Sequence, residues 1–503
     1  MAKQQAKKTT SDAQRAERLT RTSRGKSGGR ASRRTWERQG VKPKDVQGRY
    51  DAAMTTSENA RHWSMADALS ADAENSANVR ATIRNRARYE VGNNSYAKGL
   101  VLTVAGDCVG TGPRLQLFGE DREWNQQVER DFSVWAAEIK LAEKLRTMRA
   151  AKAVDGEAFA MMATNTKLAN PVKLDLLPFE TDRVTDPILD TVIKNNVDGI
   201  RLDENGYPVS YSILTVHPGD IIGSLGEYQD VPADSVIHWF RADRPEQHRG
   251  VSELAPALPL FAQLRRYTLA VLAAAETAAD FAAVLYTDTP AGGEAMEAQP
   301  FDTVSLEKRM ATTLPDGWKL NQVKAEQPVT TYADFKREIL GEIARCLMVP
   351  VNVVSGDSSK HNYASGRLDH QTYYRAIRIE QQTCAAVVLD KLFGAWFKEY
   401  SVIRRGNINF PFGNALPKLE QIPHVWMWDG FDHVDPLKEA NAQAVRLASM
   451  TTTLASEYAK QGKDWEIELT QIAKERAKMA ELGLALNDVA SYNPNEEERE
   501  ENE

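Results

Sequence analysis

Only three cysteines occur in 503 residues, Cys108, Cys346 and Cys384. They form no C-x-x-C pair and no regular spacing, which excludes a disulfide framework, argues against a cysteine-rich zinc site and suits a reducing cytosol. Long apolar runs are missing too. The most apolar stretch, Leu269 to Leu285, is alanine-rich and broken by Glu276 and Asp280, so no membrane span is expected, and the N-terminus is hydrophilic rather than an apolar signal region. No G-x-S-x-G elbow, H-E-x-x-H, Walker-type loop or dinucleotide fingerprint occurs, and Gly25-Lys26-Ser27 lacks the upstream glycine and strand of a phosphate loop. His217, His238 and His248 lie 21 and 10 residues apart on expected strands and loops, which is no metal-ligand spacing. Asp155-Gly156-Glu157 falls where a strand begins and makes no paired-carboxylate site. No catalytic residue, metal or cofactor is expected.

Charge is uneven. The chain carries a net charge of -7, which argues against nucleic acid wrapped over its whole surface. Yet residues 1–44 hold fourteen Lys or Arg against three acids, with almost no apolar periodicity. They read as a flexible basic arm, either a contact for DNA or an acidic partner, or a solvated tail. At the other end, Glu496 to Glu503 contain six acids and one arginine, an acidic tail.

Between these ends the length allows two to four structural regions. From Tyr50 to Arg130 the pattern is mainly helical, and the glycines of Asp107-Cys108-Val109-Gly110-Thr111-Gly112 turn a helix into extended chain. Trp63, Trp124 and Trp135 are assigned to core packing. Residues 150–240 have strand character at Ala158–Met162, Val172–Leu177 and Val209–Val216, and Asn205-Gly206 after Ile200-Arg201-Leu202 signals a hairpin. After Gly250, Leu254, Leu258, Phe261, Leu264, Leu272, Ala275, Ala279 and Ala282 keep one face of a long helix apolar. Residues 287–330 show little periodicity. Tyr332 to Met348 predicts a shorter helix ended by Pro350. The polar segment Ser355 to Gly366 predicts a mobile loop, and Arg367 to Tyr400 a long helix with Tyr373, Ile377, Cys384, Val388 and Leu392 on one side. Asp435-Pro436 starts a helix, and Gly462 with Asp464 ends it and starts the next.

Several motifs, in order, resemble the lambda-type portal family of tailed phages. They are Arg61-His62-Trp63, Asn78-Val79-Arg80-Ala81, the run Arg84 to Asn94, Asp155-Gly156-Glu157-Ala158-Phe159, Pro245 to Ser252, and Asn362-Tyr363-Ala364-Ser365-Gly366-Arg367. The resemblance spans roughly residues 50–400 and implies an α+β portal fold assembled as a ring. It implies an α/β wing over 45–250 and 367–434, stem helices over 251–286 and 331–348, a clip at 287–330, a tunnel loop at 349–366 and a helical crown at 435–490. On the same basis Leu264, Leu272, Ala275, Ala279 and Ala282 are expected at the stem interface between subunits. Ser355, Lys360, His361, Asn362, Tyr363 and Arg367 are expected to face DNA in the channel. The implied partners are the chain itself in a ring of about twelve subunits, double-stranded DNA, the terminase large subunit, the major capsid protein and scaffold, and head-completion and tail adaptor proteins. No membrane partner and no catalysis are implied, since the packaging motor hydrolyses the ATP. The implied location is the capsid portal vertex, after assembly in the host cytoplasm. Two rivals remain open from the residues alone: a DNA-processing enzyme holding substrate with the basic arm, and another phage capsid or scaffold protein.

Overall fold

The computed structural model describes residues 51–186, 195–220, 227–280, 284–287, 318–321, 329–359, 362–404, 419–430 and 436–484. The expected basic arm, most of the clip and the acidic tail lie outside the described residues. The chain divides into two units, residues 1–68 and 69–503. In the first, Asp51–Ala53 makes a 3-10 turn and further turns follow to Met65. Asn59 holds one of them, its Oδ1 accepting from Thr56 N–H at 2.7 Å and its Nδ2 donating to the Met54 carbonyl at 2.9 Å. Trp63 is 49% exposed and meets His62 edge-on at 4.5 Å. The core placement expected for it is therefore corrected: this short stretch has no apolar face to enclose an indole. Trp124 and Trp135 are buried as expected.

The second unit opens with α1 (Ala71–Glu74), α2 (Ala77–Asn93) and α3 (Ser95–Val109). Asn94 both ends α2, donating its N–H to the Glu90 carbonyl, and caps α3, accepting from Tyr96 N–H at 3.0 Å. Helix α3 is apolar almost all round and is buried accordingly, with Ala97, Leu100, Val101, Val104 and Cys108 in the core. Gly110 and Gly112, both at positive φ, turn the chain into β1 (Arg114–Leu117), as the glycine-bearing stretch predicts. Helices α4 (Arg122–Glu138) and α5 (Leu141–Asp155) follow.

Strands β2 (Glu157–Thr164) and β3 (Leu174–Phe179) begin the β-rich block. Next come β4 (Asn196–Val197), β5 (Ile200–Leu202), β6 (Pro208–Leu214), β7 (Tyr228–Pro232) and β8 (Val236–Phe240). They form two antiparallel sheets, ordered β3-β2-β8 and β4-β5-β6-β7. The hairpin expected at Asn205-Gly206 joins β5 to β6, with Gly206 at φ +88° and a bulge between Arg201 and Leu202. Phe159, Val184, Ile200, Tyr211, Ile213, Val231 and Val236 fill the space between the sheets.

Helix α6 spans Leu258–Asp280, six residues short of the expected end. Val284 to Thr287 instead forms β9, paired antiparallel with β10 (Trp318–Asn321), so a long-range ladder takes over where the alanine-rich run ends. Helix α7 (Val329–Arg345) stops five residues before Pro350, in a turn with Met348 at φ +56° and Val349 N–H donating to the Ala344 carbonyl. A short helix, α8 (Val351–Ser355), follows inside the expected loop with Pro350 as its N-cap. Helix α9 (Tyr363–Cys384) continues through a π-helical turn, Ala385–Leu389, into α10 (Asp390–Arg404). Tyr373, Ile377, Cys384, Val388 and Leu392 are all buried, as their spacing predicts. The π turn adds a residue to the helical repeat. Before it, Gln381 donates to the Cys108 carbonyl at 3.0 Å; after it, Lys391 donates to the carbonyls of Ala233 and Val236 at 2.7 and 2.8 Å.

Strand β11 (His424–Met427) pairs with β1. Its Trp426 joins Phe132, Trp135, Phe393 and Trp396 in an aromatic core with neighbouring ring centroids 5.2–6.1 Å apart. The C-terminal helices are α11 (Pro436–Ala448), α12 (Leu454–Lys460) and α13 (Trp465–Glu481). Asp464 caps α13 as expected, but the helix before it is two helices, the second capped by Thr453. Among the described residues no helix is long and apolar enough to cross a membrane.

Candidate functional site

Four of the motifs named for the family resemblance converge on one buried charge network. Helix α5 ends at Asp155, and Gly156, at φ +93°, closes it by donating to the Lys152 carbonyl before β2 begins at Glu157. Glu157 is fully buried. Arg249 reaches it with Nε and Nη2, at 3.0 and 2.7 Å, and Gly250 N–H and His238 Nε2 each donate at 3.0 Å. Arg249 Nη1 also donates to the Val184 carbonyl and to Asp198, whose carboxylate takes Arg80 from α2 as well. One turn on, Arg84 pairs with Asp182 at 2.6 Å. A further turn on, Arg88 grips Asp155 through two hydrogen bonds of 2.8 Å and reaches Asp182 at 2.9 Å. Residues 80, 84 and 88 are four apart, so one helix face presents all three arginines.

Burial alone would push the Glu157 carboxyl up. Arg249 and the hydrogen bonds from His238 and Arg249 outweigh it and hold the carboxyl well below its ordinary range. Burial lowers the His238 pKa, and Glu157 only partly restores it. A neutral imidazole fits the contacts: Nε2–H donates to Glu157 while Nδ1 accepts from Tyr211 at 3.4 Å. A second buried set lies nearby, with Arg149 donating to Glu253 at 3.0 Å and Lys152 pairing with Glu253 and Glu380. Paired carboxylates of this kind, each already holding a cation, fix α2, α5, β2, β8 and α9 to one another. Glu180, Asp182 and His217 also come within ligand distance of one another, but Arg84 and Arg88 already neutralise Asp182. Sequence reasoning saw these residues as motif letters and missed that they pair, because partners such as Arg249 and Glu157 stand 92 residues apart.

The residues expected to face DNA are only partly described. Ser355 ends α8, and its Oγ accepts from Asp357 N–H at 3.3 Å; Gly356 follows at φ +66°. Asn362 caps α9 in a reciprocal box, its Oδ1 accepting from Ser365 N–H at 2.8 Å while Ser365 Oγ accepts from Asn362 N–H at 3.2 Å. Tyr363 is the first residue of α9, and Arg367 is exposed one turn further. Lys360 and His361 lie outside the described residues. On α6, Leu264 is buried in the chain's own core and so leaves the expected subunit interface. Leu272 and Ala275 are exposed, and the side chains of Ala279 and Ala282 lie outside the described residues.

A cleft of about 600 Å³ lies between α4 and α13, with Arg114 and Met427 also in its lining. On its wall, Glu129 accepts from Leu117 N–H at 2.7 Å, and burial, with Asp464 and Glu466 opposite, pushes its carboxyl up to about 7. An acid raised in the fold keeps its proton where the unfolded chain loses it, so stability falls as pH rises from about 4.5 to about 7. Glu129→Gln should therefore raise the thermal midpoint over wild type at pH 8 and leave it unchanged at pH 4; equal midpoints at both pH values would contradict this.

Residues 56–381 match the family model described as "Phage portal protein, lambda family", well over half of the chain. The chain belongs to that family. A curated relative, the "Probable portal protein" of Halomonas phage phiHAP-1, is 24% identical over 459 residues, covering 84% of this chain and 86% of the relative. The chain is thus a phage portal protein, a head–tail connector and a structural component of the virion. Its backbone is also similar to a chain in the neck of an empty gene transfer agent particle, at 14% identity and TM-score 0.48, covering 76% of this portal chain and 93% of that one. A chain of the native gene transfer agent virion gives 14% and 0.46, over 76% and 93%. The HK97 family portal protein from Corynebacterium diphtheriae gives 11% and 0.28, over 57% of this portal chain and 85% of that one. The family match and the curated relative carry the assignment.

Proposed function

We propose that copies of this chain close into a ring of about twelve subunits around a channel for double-stranded DNA at one capsid vertex. The ring serves packaging, retention and ejection of the genome. In this reading α6 and α7 are the stem, residues 287–330 the clip, residues 349–366 the tunnel segment and α11 to α13 the crown. The terminase large subunit docks during filling, head-completion and tail adaptor proteins dock afterwards, and the major capsid protein and scaffold surround the ring in the host cytoplasm during assembly. The chain does no catalysis of its own and needs no cofactor.

The observation that carries the reading is the second half of α6. Leu269 and Leu272 are 59% and 54% exposed on a helix whose first half is seated in the core. An apolar, alanine-rich face of that length is supported by a neighbour's cover, and a ring supplies an identical neighbour to every copy.

Lys360 and His361, between two helix ends, suit contact with phosphates without reading sequence. Lys360→Glu should leave ring assembly intact and reduce the DNA packaged or retained per particle. Particles of the variant holding as much DNA as wild type would reduce the segment to a connector.

A further inference from the structure

The long helix after the tunnel segment carries a second surface that its buried face does not explain. Arg367, Gln371, Arg375, Arg378 and Gln382 of α9 are all exposed, and they recur at spacings of four, four, three and four. At about 100° per residue these positions fall within an arc of roughly 80°, and at about 1.5 Å per residue they run for about 22 Å. No carboxylate interrupts the stripe. The two acids within its span, Asp369 and Glu380, fall on the opposite side of the helix at the same rotation of about 100° per residue. Glu380 turns there to Lys152 and Arg149. No described carboxylate pairs with Arg367, Arg375 or Arg378. These side chains offer only permanent cations and amides on an otherwise acid-rich body, since residues 1–44 hold fourteen of the 63 cations and only three of the 70 acids. The face begins at the residue after the proposed tunnel segment.

We infer that this stripe of α9 is a binding surface for the phosphate backbone of double-stranded DNA. Guanidinium groups bind phosphate oxygens bidentately, glutamine amides add neutral donors, and neither contact reads base sequence, which suits a surface that must let any genome pass. The acid-free composition is the charge complement of a polyphosphate. The inference rests on the channel reading above and extends the contact surface beyond the segment ending at Gly366.

The test uses rings of the full chain and a labelled 30-base-pair duplex, with affinity measured from about 50 to 200 mM salt. Arg375→Gln/Arg378→Gln should keep the ring mass and lower affinity on the order of tenfold at low salt, with the salt slope falling by about 0.9 for each phosphate that is no longer neutralised. Arg375→Lys/Arg378→Lys should restore most of the binding, because charge rather than fork geometry supplies most of it. Unchanged affinity and slope in the Gln variant would overturn the inference. Rings that fall apart to smaller species would also overturn it, assigning the stripe to contact with a second copy. Wild-type rings with no salt-dependent binding would overturn the channel reading itself and the stripe with it.

Discussion

Arg249→Ala is expected to cost about 3–5 kcal/mol of stability, because it leaves the carboxylate of Glu157 fully buried with no cation beside it. The loss exceeds that of an ordinary surface pair, which contributes about 0–1 kcal/mol. Two further acceptors lose their Arg249 donor with it, the Val184 and Asp198 carbonyls, while the Asp198 carboxylate keeps Arg80. The pH dependence separates this from simple loss of packing. In the wild type the depressed Glu157 pKa gives stability that is present above the unfolded value of 4.5 and lost as pH falls through the lower folded value. In the variant the buried acid prefers its proton. The deficit should therefore be largest at neutral pH and shrink as pH falls toward about 4.5 and below, first because the variant's acid takes up its proton and then because the wild type loses the benefit of its depressed one. Glu157→Gln in the Arg249→Met background should recover part of the loss, since an uncharged pair leaves no bare ion. Urea midpoints across pH 4 to 8 check this, and a deficit under about 1 kcal/mol that does not vary with pH would contradict it.

The second large effect is steric. Gly156 and Gly250 lie backbone to backbone: a Cβ on Gly250 would sit 2.2 Å from the Gly156 carbonyl oxygen, and one on Gly156 would sit 2.2 Å from the Val251 carbonyl carbon. Both contacts involve main chain, which cannot swing aside. Gly156→Ala also forces a side chain onto φ +93°, worth about 1–2 kcal/mol, on top of about 1–3 kcal/mol for overpacking. Gly250→Ala incurs the overpacking and shifts the N–H that Glu157 accepts. Each substitution should lower the urea midpoint strongly, Gly156→Ala more. The double variant should lose less than the two singles together, because both open the same contact. Strict additivity would mean the two glycines act separately.

Periodicity made the helices legible. Tyr373, Ile377, Cys384, Val388 and Leu392 mark the buried face of the long helix, although the π turn at Ala385–Leu389 gives no signal that spacing reveals. Local chemistry made the Asn205-Gly206 hairpin and the Asp464 cap legible, since both depend on residues within a few positions. Long-range pairing was not. The end of α6 at Asp280 depends on Val284–Thr287 finding Trp318–Asn321, and the charge network depends on which of 63 cations meets which of 70 acids. Residue type alone cannot choose among those partners. The motif resemblance did single out Arg80, Arg84, Arg88, Asp155, Glu157 and Arg249, but only as letters in order; their shared burial is what explains why they belong together. The tunnel segment was legible as polar and glycine-bearing, while α8 within it was hidden behind Pro350, which reads as a helix stop and here opens a helix.

Whether the chain closes into a ring is decided by imaging the purified chain in negative stain, with its mass measured on the same sample. Closed rings of one subunit number with a central hole are the expected result. Discrete monomers with no such particles, at concentrations where the chain is folded, would contradict it.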